Sequence, residues 1–193
     1  MDNRKTNEFQ ATVKDKKEIW DWIKAIFIAI IVAFVIRTFF FTPIVVDGDS
    51  MEPTLHNQER MIVTKLGKPQ RFDIIVFHAP DGRDYIKRVI GLPGDHIEYK
   101  DDALYINGKA YAEPYLEEFK IELKDGGTLT DSFTLKETAV RSDVVPAGHL
   151  FVLGDNRRKS NDSRSIGAIP LEKVVGTTKI IFFPISDMKV IGK

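Results

Sequence analysis

The chain has 193 residues with 28 basic and 28 acidic side chains, so its net charge is zero and nothing marks a nucleic-acid-binding surface. It contains no cysteine, which excludes a disulfide framework, a thiol nucleophile and thiolate metal sites. The four histidines (His56, His78, His96 and His149) are scattered without a His-x-x-x-His pair, so no metal site is expected.

Residues 1–18 are polar and mix Lys and Arg with Asp and Glu, the composition of a disordered tail. Trp20, Trp22 and Lys24 follow, then twelve uninterrupted apolar residues from Ala25 to Ile36, then Arg37-Thr38 and Phe39-Phe40-Phe41. The 22 residues from Trp20 to Phe41 would make about 33 Å of helix, enough to span a bilayer. Tryptophans at one end, phenylalanines at the other, and Lys24 and Arg37 near enough to the ends to snorkel fit the same reading. Two alternatives compete. A cleaved signal peptide would end in small residues, whereas Arg37 and bulky aromatics follow here; a buried core helix could also carry a pure apolar run of this length. The basic residues ahead of the run place the N-terminus in the cytoplasm and the remainder of the chain outside the cell. The expected organisation is a cytoplasmic tail (1–19), a transmembrane anchor (20–41) and one extracytoplasmic domain (42–193). That domain's roughly 150 residues suffice for a core.

Thr42-Pro43 ends the helix, because proline biases its predecessor toward extended backbone. Ile44-Val45-Val46 reads as a short strand and Asp47-Gly48-Asp49 as a turn. Strands are expected at 60–65, 73–77, 84–91, 97–100 and 103–106, with Asn107-Gly108 a strong hairpin signal. Residues 111–147 are charged and weakly patterned, and predict a less tightly packed insertion; the inserted β subdomain is bounded at about 100–147. His149–Leu153 and Val174–Phe183 are further strands. The fold class is therefore mainly β, an antiparallel barrel or sandwich-like domain behind a single transmembrane helix.

A serine hydroxyl needs a base to become a nucleophile. Ser50 sits among turn formers, and the base that stands out is Lys87. By strand alternation Lys87 shares a face with Tyr85 and Val89, while Ile86, Arg88 and Ile90 take the other. Burial on that face would disfavour the ammonium and lower its pKa, which a base working near neutrality requires. The alternative, on periodicity alone, is a lysine that snorkels to the surface.

Three stretches resolve that choice by resemblance. Gly48-Asp49-Ser50-Met51-Glu52-Pro53-Thr54-Leu55 resembles the catalytic-serine box of bacterial type I signal peptidases. Asp84-Tyr85-Ile86-Lys87-Arg88-Val89-Ile90-Gly91-Leu92-Pro93-Gly94-Asp95 is similar to that family's lysine box, and Gly154-Asp155-Asn156-Arg157-Arg158-Lys159-Ser160-Asn161-Asp162-Ser163-Arg164 to its third signature. The boxes stand in the family's order behind one anchor, and the short insertion resembles the small Gram-positive type.

The resemblance implies a membrane-bound serine endopeptidase with Ser50 as nucleophile and Lys87 as general base. Ser160 would hydrogen-bond and orient the lysine, Asp162 and Arg164 would pair, and Asp155 would pair with Arg88. The Ser50 backbone N–H would stabilise the oxyanion. The family's second donor is often a serine hydroxyl at the position of Gly48, so here the Gly48 backbone N–H or a water would serve instead, or the hole is weaker. The implied substrates are secretory preproteins emerging from the translocation machinery, cut after an Ala-x-Ala-like site. The peptide would add as a strand along Asp84–Ile86, with Ile44, Met51, Leu55, Tyr85 and Ile86 as walls of shallow pockets. The expected partners are preproteins and the lipid bilayer, with no nucleic acid, metal or organic cofactor; the expected location is the cell membrane, single-pass. Three competing readings are a self-cleaving Ser/Lys repressor-type protease, a membrane-tethered extracellular binding domain and an inactive relative.

Overall fold

The computed structural model describes residues 3–124 and 126–192, with side-chain surroundings for 18–35, 37 and 40 onward in that range. It separates into two units, Met1–Phe41 and Thr42–Lys193.

The first unit is one helix, α1 (Asn3–Phe39). The predicted disordered tail is thus helical from Asn3, and the start of that tail, residues 1–2, lies outside the described residues. Its Lys, Glu, Gln and Ala are good helix formers, and no Gly or Pro interrupts the chain before Pro43. Among the described residues no helix is long and apolar enough to cross a membrane, and residues 36, 38 and 39 of the span expected over 20–41 lie outside those whose side chains are described. Glu18, Asp21 and Lys24 lie close ahead of the apolar run. The described side chains from 18 to 35 are exposed, Trp22 by 71% and Phe34 by 67%.

The second unit is built from β1 (Phe41–Val45), β2 (Arg60–Thr64), β3 (Ile74–His78), β4 (Asp84–Gly91), β5 (Ile97–Lys100), β6 (Ala103–Ile106), β7 (Lys109–Tyr111), β8 (Phe133–Thr134), β9 (His149–Leu153), β10 (Ile169–Pro170), β11 (Val174–Phe183) and β12 (Lys189–Val190). Two short helices, α2 (Glu117–Glu122) and α3 (Ser163–Ile166), fill loops. The larger sheet runs β1-β2-β11-β3-β4-β9-β10, with β12 on β11; the smaller runs β7-β6-β5-β8. The pairings among β2 to β12 are antiparallel. Among the described residues the larger sheet is an open path rather than a closed barrel, since its end strands β1 and β10 pair with β2 and β9 but not with each other.

Side-chain periodicity explains the layering. In β2, Met61 and Val63 are buried while Arg60 is exposed, the alternation of a strand with one face in the core. Ile74, Ile75, Val76 and Phe77 of β3 are all buried, as in a central strand covered on both sides. Ile74 and Val76 join Met51, Leu55, Met61, Val63 and Ile181. Ile75 and Phe77 join Val89, Leu150, Val152 and Ile169.

The smaller sheet is the insertion between β4 and β9. It begins at Ile97, a little before the predicted boundary, and its turns are built as the sequence requires. Asp101-Asp102 and Asn107-Gly108 all have positive φ, the mark of tight turns that match strand twist. The expectation of loose packing across 111–147 does not hold: Leu116, Leu129, Leu135 and Val145 are buried. Leu135 and Val145 join Ile90, Ile97, Tyr99, Leu104, Phe151 and Leu153 in a core shared with the larger sheet. These apolar residues are scattered among polar and charged stretches, so no periodic run announces them.

Gly176 of β11 marks the tightest strand contact, at a register shift opposite β3. A Cβ there would strike the Thr64 carbonyl oxygen and approach Val63 Cγ1 to 2.8 Å. Gly176→Ala is expected to cost about 2–4 kcal/mol, because backbone rather than a flexible side chain must yield. Denaturant unfolding of the full chain in detergent checks this against Gly192→Ala, where a Cβ meets nothing within 4 Å; equal stabilities would contradict it.

Candidate active site

The three boxes converge at the end of β4. Ser50 lies in a turn closed by Glu52 N–H on the Asp49 carbonyl (3.2 Å) and Leu55 N–H on the Met51 carbonyl (3.0 Å). Met51 and Leu55 are buried, which pins the turn to the core and leaves Ser50 half-buried at its rim. Lys87 lies opposite Ile75 of β3. Its ammonium donates to Ser50 Oγ at 2.7 Å and to the Ile86 carbonyl at 3.0 Å. The side chain is only 3% exposed and lies 5.2 Å from the Tyr85 ring centroid. Loss of water lowers the Lys87 pKa to about 8, a fall partly offset by the nearby Asp162 and Asp155 carboxylates.

Those carboxylates are themselves neutralised. Arg88 grips Asp155 through Nε (2.9 Å) and Nη2 (2.6 Å), both side chains fully buried. Thr54 Oγ1 donates to Asp155 Oδ2 at 2.5 Å, which ties the serine turn to this pair. Asp162 caps α3 by accepting from Arg164 N–H, receives the Arg164 guanidinium at 2.9 Å, and accepts the Gly154 N–H at 3.1 Å. Asn156 completes the junction: its N–H donates to the Ser50 carbonyl and its Nδ2 to the Asp49 carbonyl, each at 3.1 Å. Glycine is required at 154, where a Cβ would collide with Ser160 Oγ and the Ser50 carbonyl oxygen.

Three expectations need correcting. Ser160 Oγ is buried without a hydrogen-bond partner among the described residues instead of bonding the lysine, whose donors go to Ser50 and Ile86. The Gly48 N–H, offered as the second oxyanion donor, is engaged by Asn57 Oδ1 at 3.1 Å. Leu55 is fully buried in the core and does not line the cleft. Ile44, Met51, Tyr85 and Ile86 do line it, together with Ser50, Lys87 and Gly48. This cleft has a volume of about 710 Å³. The sequence reading missed Asp47, His78, Arg83, Lys159 and Asn161 on its polar rim. It also missed Thr54 and Asn156, although both stand inside quoted boxes. Along the cleft, β3 pairs with β4 over 84–88, whereas β9 joins only from Arg88 onward. Asp84–Lys87 therefore present an open strand edge beside Ser50.

A hydroxyl beside a buried, neutralisable amine, at a sheet edge, is suited to acyl transfer. The comparisons agree. Residues 19–183 match the family model described as signal peptidase, peptidase S26. The chain is 42% identical over 181 residues to signal peptidase IB of Staphylococcus aureus strain COL, covering 90% of this chain and 94% of that one. It is 47% identical over 184 residues to signal peptidase I S of Bacillus subtilis strain 168, covering 92% and 96%. A crystal structure of a signal peptidase I from Enterococcus faecalis V583 shares 46% identity and a TM-score of 0.56, covering 58% of this chain and 98% of its own. The chain is thus a peptidase, an enzyme of the hydrolase class. It belongs to the signal peptidase family, peptidase S26, as a bacterial type I signal peptidase.

Burial of Lys87 has a thermodynamic signature. Its folded pKa is depressed, so the unfolded chain binds more protons between about pH 8 and 10.5, and stability rises with pH across that window. Below it the cost of burying an ammonium is fully present. Lys87→Met should therefore abolish activity yet stabilise the fold by about 1–3 kcal/mol at pH 7. The gain should shrink above pH 10. Urea midpoints of both proteins measure it, and a clear loss of stability at pH 7 would contradict the account.

Proposed function

We propose that this enzyme removes signal peptides from secreted preproteins, with Ser50 as nucleophile and Lys87 as general base. The observation that carries the proposal is the 2.7 Å contact between Lys87 Nζ and Ser50 Oγ at a lysine almost closed to water. The open edge of β4 at Asp84–Lys87 supports capture of the peptide as an added strand, its scissile carbonyl over Ser50. Half-buried Ile44, Tyr85 and Ile86 with buried Met51 make shallow apolar walls. They favour the small side chains of an Ala-x-Ala-like site.

The steps follow from the chemistry of the pair. Ser50 Oγ attacks the carbonyl carbon while its proton passes to neutral Lys87 Nζ. The oxyanion is stabilised by the Ser50 N–H, which has no partner among the described residues. The C–N bond breaks, the lysine returns the proton to the leaving amine, and the mature N-terminus departs. Water then attacks the Ser50 ester, its proton going to Lys87. The signal peptide leaves as a carboxylate and Ser50 recovers its hydroxyl. Asp162, Arg164, Asp155 and Arg88 act by holding this arrangement.

We place the enzyme at the cell membrane, anchored through 20–41 with its N-terminus in the cytoplasm, facing preproteins as they leave the translocation machinery. The apolar side chains exposed along α1, among them Trp20, Ile26, Phe27, Ile30 and Phe34, support a lipid surrounding.

Processing of an unprocessed secretory protein in detergent tests the proposal. Ser50→Ala and Lys87→Ala should each lower the rate by at least about 10³-fold while remaining folded. The unmodified enzyme's rate should rise with pH through about 8, as the lysine loses its proton. Activity retained by Ser50→Ala, or a flat profile from pH 6 to 9, would refute the dyad.

A further inference from the structure

The inserted sheet supplies a buried carboxylate that the chemistry above does not use. Glu113 is 5% exposed, yet its Oε1 accepts from the hydroxyls of Tyr99 and Tyr115, each at 2.7 Å, and from Arg157 Nη2 at 2.5 Å. Arg157, 2% exposed, adds Nη1 bonds to the Tyr99 hydroxyl (2.7 Å) and Thr130 Oγ1 (3.1 Å). Tyr99, Glu113, Tyr115 and Thr130 all belong to the insertion, whereas Arg157 belongs to the loop after β9.

Two routes lead from this cluster to the reacting pair. Arg157 Nε donates to the Gly154 carbonyl at 3.0 Å, and the Arg157 carbonyl accepts Arg164 Nη2 at 2.6 Å. The same loop holds the Ser50 carbonyl through the Asn156 N–H. On the second route the Tyr115 ring lies 3.8 Å from the Arg88 guanidinium carbon, and Arg88 grips Asp155, which Thr54 joins to the serine turn. Breaking such a buried pair from one side leaves an uncompensated guanidinium, so the loop cannot stay where it is at no cost.

We propose that Glu113 is a positioning residue for catalysis, acting through Arg157 and Tyr115 to hold the Gly154–Ser160 loop and the Arg88 pair around Ser50 and Lys87. This rests on the Ser50–Lys87 reading given above. A purely structural cluster would affect only how much enzyme is folded. A positioning cluster also sets how dry the lysine is. The groups facing Lys87 are the Ser50 hydroxyl, the Tyr85 ring, Asp155 and Asp162; Glu113 is not among the groups that shift its pKa, so any change must come through the loop.

The test uses the full chain in detergent and a fluorogenic peptide with an Ala-x-Ala site. The variants are Glu113→Gln, Tyr99→Phe, Ser50→Ala and, as a structural control, Arg71→Met. That control breaks the Arg71–Asp95 bridge (2.9 Å) at the base of the insertion, away from the loop. Glu113→Gln and Tyr99→Phe should lower kcat about tenfold with KM within about twofold, and move the acid limb of the kcat profile up by about half a pH unit or more. Should Glu113→Gln fail to fold, Tyr99→Phe decides on the same readouts. Arg71→Met should lower stability and leave the limb in place. The proposal is overturned if the rates fall only with the folded fraction and the limb stays, or if Arg71→Met moves it equally. Ser50→Ala separates the two claims: activity retained there refutes the dyad itself, whereas an inactive Ser50→Ala beside unaltered Glu113 and Tyr99 variants refutes only the positioning role.

Discussion

Keeping the Lys87 amine out of water is the constraint on which the rest of the site depends. Burial makes the charged form costly and brings the pKa to about 8, within reach of a neutral base. Two carboxylates stand close enough to reverse that effect. Each is matched instead by an arginine, Asp155 by Arg88 and Asp162 by Arg164, so their attraction for the lysine only partly offsets its burial. The site thus uses full ion pairs to protect a half-neutral lysine. The energetic order is sensible: an unpaired buried carboxylate beside an amine would hold the proton that catalysis needs to move.

The fold meets this constraint by bringing three distant stretches against one strand. β4 carries Lys87 and Arg88 on opposite faces, and each meets a different partner. Lys87 reaches the serine turn on one side, and Arg88 reaches Asp155 on the other. The turn itself is fixed by Met51 and Leu55 in the core and by Asn156 from the loop after β9. Because β9 joins β4 only from Arg88 onward, the stretch just before Lys87 keeps a free edge for an incoming strand. The same register that buries the lysine therefore leaves room for a substrate beside it.

Much of this was legible in the chain. Strands with clear alternation or an apolar run, β4, β5, β6, β9 and β11, have the predicted bounds. Ser50, Lys87, Asp155 and Arg88 lie in dense, patterned boxes, and the placement of Lys87 with Tyr85 and Val89 on one face follows from strand period alone. What could not be read was whatever depends on distant contacts. Gly48 lost its free N–H to Asn57, nine residues away, and Leu55 faced the core rather than the cleft. Glu113 carries little local signal, since only Tyr115 among its partners is near in sequence and the others come from β5 and the stretch after β9. The packing of 111–147 was hidden because its buried leucines and Val145 are too widely separated to form a periodic run. The helical character of 3–19 was masked by a composition that suits a disordered tail as well as a solvated helix.

Direct titration of Lys87 tests the central claim. With lysine labelled at Cε, the NMR signal that disappears in Lys87→Arg identifies the residue, and its shift with pH reports its own protonation. The account predicts a midpoint near 8, well below the ordinary lysine value of 10.5. A midpoint near 10.5 for Lys87 would mean that its ammonium is hydrated and charged at working pH, and would contradict its role as the base.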